Sequence, residues 1–291
     1  MHQQGDQVEV LFIMRALEPE VVDAIWHTIE ALIPPTRDHH PLGCHRPRVP
    51  DRLCFWGILI RLVTGASWVD IEAILEHRVS DTTLRSRRDE WIAAGVFDNL
   101  KDEATAAFDR IIGLDLSEVS IDGSLHKAPY GGEGTGPNPT DRAKLGWKWS
   151  VAVDVHGIPV AWVIDGANRS DIPLLIPTLH AVADVGLLVD IETLHLDRGY
   201  DFPVVRRRLA ELGLHDLDIQ RRGTKHPGKK QPMNLGLRWI VEATNSWWSN
   251  YGQLRRNTDR RTRHRHAALC LATTVLIVGR LLDYRNRYDP R

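Results

Sequence analysis

Three carboxylates in this 291-residue chain have the types and contexts for metal chemistry. Asp122 lies in Glu118-Val-Ser-Ile-Asp-Gly-Ser124, and Asp197 in Leu194-His-Leu-Asp-Arg-Gly-Tyr-Asp201. Each ends a short run in which apolar residues alternate with others. That is the period of a half-buried strand, which would carry a carboxylate to the edge of a sheet. Glu242 differs: it closes Arg238-Trp-Ile-Val-Glu242, early in a proline-free, helix-like stretch from Leu235 to Leu254. Two strand-end aspartates and one helix-borne glutamate can converge on a pair of divalent ions, an arrangement suited to phosphoryl transfer on DNA.

The elements that must position them follow from periodicity. Residues 17–33 repeat Leu17, Val21, Val22, Ile25, Ile29, Leu32 and Ile33 at helical steps, and Pro34-Pro35 stops them. Asp51 is placed to cap a buried helix over 53–64, followed by a short helix at 68–77. Ser80-Asp81-Thr82 caps another through Leu84 to Ala94, and a further helix runs from Leu100 to Ile112. The period then switches to two. Strands are expected at 117–122, 148–155 and 158–165, a helix at 171–185, and a strand at 191–197. A helix at 202–212, a strand at 216–220 and a last helix from His264 to Tyr284 complete the order. This is the element order of an α/β, ribonuclease-H-like mixed sheet flanked by helices. The domains expected are a leader at 1–15, a helical module at 16–112 and a sheet domain at 113–291 with basic C-terminal helices.

The net charge of −1 conceals an asymmetry. Residues 1–200 hold 18 Lys and Arg against 30 Asp and Glu, and residues 201–291 hold 19 against 8. A basic final third suits a polyanion, although a solvated basic helix face gives the same count. The three cysteines, Cys44, Cys54 and Cys270, have no pairing rhythm, which points to a reducing, cytoplasmic setting. The N-terminus has no signal-peptide pattern, and the apolar run 267–279 is short for a membrane span.

Several basic groups are candidate DNA contacts. The helices at 68–77 and 84–94 fit a helix-turn-helix whose second helix carries Arg85, Arg87 and Arg88, with Asp89 and Glu90 diluting that face. Arg142, Lys144 and Lys148 follow a Gly-rich loop at 131–136, which lacks the phosphate-cradle motif. Arg221 and Arg222 open a basic loop, Arg238 starts the glutamate helix, and Arg255, Arg256, Arg260, Arg261 and Arg263 follow it. His126 reads as a packed or solvated histidine, and Trp247-Trp248 as helix core and rim. His39, His40, Cys44 and His45 lack a second ligand pair at zinc spacing and read as linker.

Sequence motifs add a resemblance. Gly134-Thr-Gly-Pro-Asn-Pro-Thr-Asp-Arg-Ala-Lys-Leu-Gly-Trp-Lys148, Asp154-Val-His-Gly-Ile-Pro159 and Gly166-Ala-Asn-Arg-Ser-Asp171 closely resemble bacterial insertion-sequence transposases of the DDE type. Asp197-Arg-Gly-Tyr-Asp201 and Arg238-Trp-Ile-Val-Glu242 look like that family's second and third acidic motifs, and the likeness runs roughly from residue 30 to 282. The resemblance implies a nuclease and strand transferase on the element's terminal inverted repeats and target DNA. It implies Asp122, Asp197 and Glu242 as catalytic and metal-binding acids, with two Mg²⁺ or Mn²⁺ ions. It also implies a homodimer or larger assembly on double-stranded DNA at the nucleoid, and no membrane.

The chain departs from the family pattern in places. Ala243 stands where arginine usually follows the glutamate, Asn245 where a large apolar residue is usual, and Asn257 and Asp259 where tyrosine and glutamate are. Gly123 replaces a small hydroxyl residue beside Asp122. No acid is lost. The alternative reading is a catalytically inactive or repurposed DNA-binding protein derived from a transposase.

Overall fold

The computed structural model describes residues 16–35, 47–219 and 238–288. These divide into two compact units, one of the described residues within 1–111, 250–257 and 263–291, the other of those within 112–249 and 258–262. The chain first crosses from one unit to the other between residues 111 and 112. The C-terminal helix does not follow expectation: it belongs to the helical unit.

In the helical unit, α1 (Pro19–Leu32) begins with proline in its first turn and buries Val21, Val22, Ile25, Trp26 and Ile29 along one stripe. α2 (Asp51–Thr64) is buried nearly all round, and Gly65 ends it in the left-handed conformation. A capping box of Ser67 and Asp70 opens α3 (Trp68–Ile74), and Ser80 accepts from Thr83 N–H to open α4 (Asp81–Ala93). α5 (Val96–Ile111) buries Val96, Phe97, Leu100, Ala104 and Phe108. After the sheet unit, the chain returns with α9 (Gly252–Arg255) and α10 (Thr262–Tyr288). Among the described residues α10 is the helix long and apolar enough to cross a membrane, and 72% of its most apolar window is buried inside the protein. It packs as a core helix.

The sheet unit is built on β1 (Glu118–Lys127), β2 (Gly136–Pro137), β3 (Leu145–Val153), β4 (Pro159–Gly166), β5 (Thr193–Leu196) and β6 (Asp216–Ile219). Its main strands run β4-β3-β1-β5-β6, and the short β2 pairs with the start of β3. β1, β3 and β4 are antiparallel neighbours, whereas β5 runs parallel to β1 and β6 parallel to β5. That order and those directions are the ribonuclease-H-like arrangement expected. α6 (Ile172–Asp184) and α7 (Pro203–Glu211) cover the face bearing Val119, Ile121, Leu194 and Leu196, where the core lies. α8 (Arg238–Asn250) lies on the opposite face.

One expectation fails in detail. Asp122 does not end its strand; β1 continues five residues further, because Gly123 to Lys127 pair with β3 as far as Gly146. The aspartate therefore stands in the middle of a central strand, at the level where the parallel neighbour stops.

Candidate active site

Register brings the two aspartates together. Ile121 pairs with Leu196 across the parallel β1–β5 ladder, so the next residue on each strand is an aspartate. Neighbouring strands lie about 4.8 Å apart, which sets the two backbones side by side. Both side chains are half-buried. Asp197 leaves β5 in an extended conformation and accepts from Arg198 N–H at 2.7 Å, which opens a single 3₁₀ turn through Tyr200.

Alternation assigns the face. Along β1, Ser120, Asp122, Ser124 and His126 point to one side, with Val151 and Trp149 opposite Asp122 and Ser124. Trp149 donates its indole N–H to Asn245 Oδ1 at 2.7 Å and meets Trp248 edge-on at 5.4 Å. Trp162 also meets Trp248 edge-on, at 5.3 Å, and Thr244 donates its hydroxyl to the Gly157 carbonyl at 2.8 Å. These contacts hold α8 over the face that carries Asp122. Glu242 is exposed, one turn before Asn245 on the helix stripe that borders the sheet. Among the described residues, the three acids do not form a group whose ligand atoms all lie within 4.8 Å; Asp98, His266 and Cys270 do. A two-ion site has no such requirement, because ions about 3.5–4 Å apart take different ligands.

The donor set fits hard divalent ions. All three candidate ligands are carboxylates, and Mg²⁺ takes oxygen ligands while keeping positions for water and phosphate. The field at the site is negative: burial first, then the charges of Asp171, Asp122 and Asp197, push the Tyr200 hydroxyl pKa above its ordinary value.

Asp171 and Lys148 form a support that periodicity and motif spacing do not reveal. Lys148 Nζ is 2.5 Å from Asp171 Oδ1 and donates to the Arg169 carbonyl at 3.1 Å, and its side chain is only 3% exposed. A Cβ on Gly123 would stand 2.2 Å from Asp171 Oδ1. Glycine beside the first aspartate is thus the space into which the Asp171 carboxylate reaches. A single sequence offers no signal for this, since the two residues are 48 apart.

The basic candidates divide by burial. Lys148 is committed to Asp171 and is no DNA contact. Arg87, 4% exposed, is turned into the helical unit, where it pairs with Asp51 and donates to the Val49 carbonyl. Arg88 is also buried, paired with Asp89 and lying over the Trp68 ring at 5.1 Å. These two corrections share a cause: a guanidinium can serve as a core tie when a carboxylate or ring meets it. Arg85 is exposed and pairs with Asp81 at 2.7 Å. Arg142, Lys144, Arg255, Arg256, Arg260, Arg261 and Arg263 are exposed. Arg221, Arg222 and the side chain of Arg238 lie outside the described residues, as do residues 1–15, His39, His40, Cys44 and His45.

The Gly-rich loop anchors the Arg260 segment of its own unit. Glu133 N–H donates to the Arg260 carbonyl at 2.8 Å, and the Glu133 carboxylate accepts from Thr262 N–H at 3.1 Å. Gly132, at φ 110°, admits the Arg260 backbone, whose carbonyl would lie 2.1 Å from any Cβ. Its glycines serve backbone approach rather than phosphate binding. His126 is packed: its ring stacks on Trp149 at 3.7 Å, and burial lowers its pKa to about 3. Trp248 is fully buried, as helix core, while Trp239 is exposed.

The family model "Transposase DDE domain" matches residues 113–278, and "Putative transposase of IS4/5 family" matches residues 21–101. A curated relative from Burkholderia cepacia, "Putative transposase for insertion sequence element IS402", is 37% identical over 138 residues. That alignment covers 45% of this chain and 63% of the relative, so the chain spans less than two thirds of its length. The "Insertion element IS402 uncharacterized 16.2 kDa protein" of the same organism is 33% identical over 122 residues, covering 42% of this chain and 82% of that one. A crystal structure of a pre-cleavage Mos1 transpososome covers 84% of this chain and 82% of its own at 10% identity. Its TM-score of 0.28 is too low to bear on the argument.

Proposed function

Because the chain belongs to the transposase DDE domain family, we propose that it cleaves DNA at insertion-sequence terminal repeats and joins the freed strand to a target. The carrying observation is the register of β1 and β5, which sets Asp122 beside Asp197 on the face that α8 covers. In this reading Asp122, Asp197 and Glu242 hold two Mg²⁺ or Mn²⁺ ions. Such ions supply an activated attacking oxygen and charge stabilisation for the departing one.

The chain's own groups do the rest. The β1–β5 ladder fixes the spacing of the two aspartates before any ion arrives, so little ordering remains at binding. α8, keyed to the sheet through Trp149, Asn245 and Trp248, holds Glu242 at the open side where a phosphodiester can approach. The Lys148–Asp171 pair stiffens the strand beneath Asp122. Exposed Arg142, Lys144, Arg255, Arg256, Arg260 and Arg261 neutralise DNA phosphates without reading sequence. DNA-bound assembly as a dimer or larger belongs to the same reading, and so does a cytoplasmic place of action.

The test is cleavage of a labelled duplex carrying the flanking terminal repeats, in Mg²⁺, Mn²⁺ or EDTA. Repeat-dependent cleavage that is lost in EDTA and in Asp122→Asn, Asp197→Asn and Glu242→Gln, with DNA binding retained, supports the proposal. Salt-sensitive binding with no cleavage in either metal would transfer the chain to the inactive, DNA-binding class.

A further inference from the structure

Away from the sheet, α5 and α10 bring three different ligand types to one point. His266 Nε2 is 2.7 Å from Asp98 Oδ1, Cys270 Sγ is 3.5 Å from His266 Nε2, and Cys270 Sγ is 3.8 Å from Asp98 Oδ1. His266 and Cys270 are four residues apart on α10, so they share a helix face, and Asp98 in the first turn of α5 meets them from across the gap. The Asp98 and His266 side chains are 51% and 42% exposed, which leaves an entry path, while the thiol is buried behind them.

We propose that Asp98, His266 and Cys270 form a second metal site, for Zn²⁺ or a similarly borderline-soft divalent ion, that fastens α10 to α5. Tetrahedral Zn²⁺ with ordinary bond lengths requires ligand edges of about 3.6 Å for S···N, 3.5 Å for S···O and 3.3 Å for N···O. The observed S···N edge already has that length. The S···O edge closes by a few tenths of an ångström, and the His266–Asp98 contact opens by well under 1 Å as a shared proton gives way to the ion. One thiolate, one carboxylate and a neutral imidazole cancel the charge of a divalent ion and leave a fourth position for water. Burial holds the Cys270 thiol pKa well above its ordinary value, so the thiolate forms only with a compensating charge beside it.

The donor chemistry separates this site from the acids on the sheet. Sulfur and imidazole select zinc-like ions, whereas an all-carboxylate set selects magnesium-like ones. The consequence is mechanical: the C-terminal helix is tied to the fifth N-terminal helix by a bond that a chelator can remove.

The experiment uses the full chain, stripped with EDTA and kept reduced, then titrated with Co²⁺ as a spectroscopic stand-in and with Zn²⁺. The expected result is a sulfur-to-cobalt charge-transfer absorption that saturates at one equivalent and is bleached by Zn²⁺. It is retained in Asp122→Asn and absent in Cys270→Ser. Because Cys270 is buried and its serine variant could unfold, Asp98→Asn and His266→Ala, both at exposed positions, are measured as well. Each should weaken Zn²⁺ binding by at least about tenfold. No charge-transfer absorption in the unmutated chain overturns the site, as does absorption that survives Cys270→Ser, or unchanged affinity in both exposed variants.

Discussion

The Asp171 carboxylate occupies the space where a Gly123 side chain would begin, 2.2 Å from an ideal Cβ, while Lys148 holds it from behind at 2.5 Å. The residue next to the first candidate metal ligand is therefore set by a contact from 48 residues further along the chain. Gly123→Ala should destabilise the protein by about 1–3 kcal/mol through overpacking. Asp171→Asn should cost roughly 3 kcal/mol by leaving the buried Lys148 ammonium without its counter-ion. Combining either substitution with Lys148→Met should be clearly non-additive in urea unfolding. Simple additivity would mean that the three residues do not act as a unit.

Asn245 is buried on α8, and its Oδ1 accepts the buried Trp149 N–H. Asn245→Leu should cost about 1–3 kcal/mol because the indole donor loses its acceptor. Pairing it with Trp149→Phe should recover much of that penalty, since both polar groups are then gone. Thermal unfolding of the four proteins in the cycle checks this. A double variant no better than Asn245→Leu alone would sink the explanation.

The buried His126 makes the fold sensitive to acid. Its folded pKa is depressed to about 3, against about 6.5 in an unfolded chain. Above pH 6.5 both states are neutral and nothing is gained or lost. As pH falls from 6.5 toward 3, the unfolded chain takes up a proton that the folded chain refuses, so stability declines. Between pH 6.5 and 4.5 this amounts to roughly 2–3 kcal/mol. His126→Phe, which keeps an aromatic face against Trp149, should flatten that part of the curve. Denaturant midpoints at pH 7.5 and 4.5 decide it.

Exposed and buried cations should behave oppositely toward DNA. Arg260→Ser with Arg261→Ser should weaken DNA binding about equally for all sequences and lower the slope of log affinity against log salt by about 2. Arg87→Met, by contrast, should lower thermal stability and leave that slope unchanged. A salt slope that responds to Arg87 would mean that its buried pairing opens on DNA.

Loading with divalent ions gives a further readout. Mg²⁺ should raise the melting temperature of the unmutated chain, because an ion bound only by the folded state stabilises it. The increase should vanish in Asp122→Asn combined with Asp197→Asn. An increase that persists there would place the Mg²⁺ elsewhere.

Much of the sheet was legible because alternation and helical periods are local signals. β3, β4, α6, α7 and β6 all lie within a few residues of their expected bounds. β2 escaped because two residues, Gly136 and Pro137, carry no alternation. The end of β1 escaped because Gly123-Ser124 imitates a turn, whereas cross-strand pairing with Trp149 and Ser150 keeps it extended. Arg87, Arg88 and Lys148 read as surface cations in the sequence because charge reveals nothing about burial; what buries them is a carboxylate, a ring or a carbonyl met in the fold. The pairing of Asp122 with Asp197 followed from motif order, but the register that creates it exists only in the folded sheet.

The helical unit is interrupted. Its first five helices precede the sheet unit and its longest, α10, follows it. A chain made from the N-terminus therefore exposes the apolar faces of α1, α2 and α5 until more than 130 further residues have been added. A frameshift or stop between residues 250 and 262 would leave every candidate catalytic acid in place yet remove the helix that completes the N-terminal fold. Damage at the far end of the gene would thus be felt first in the module at its beginning.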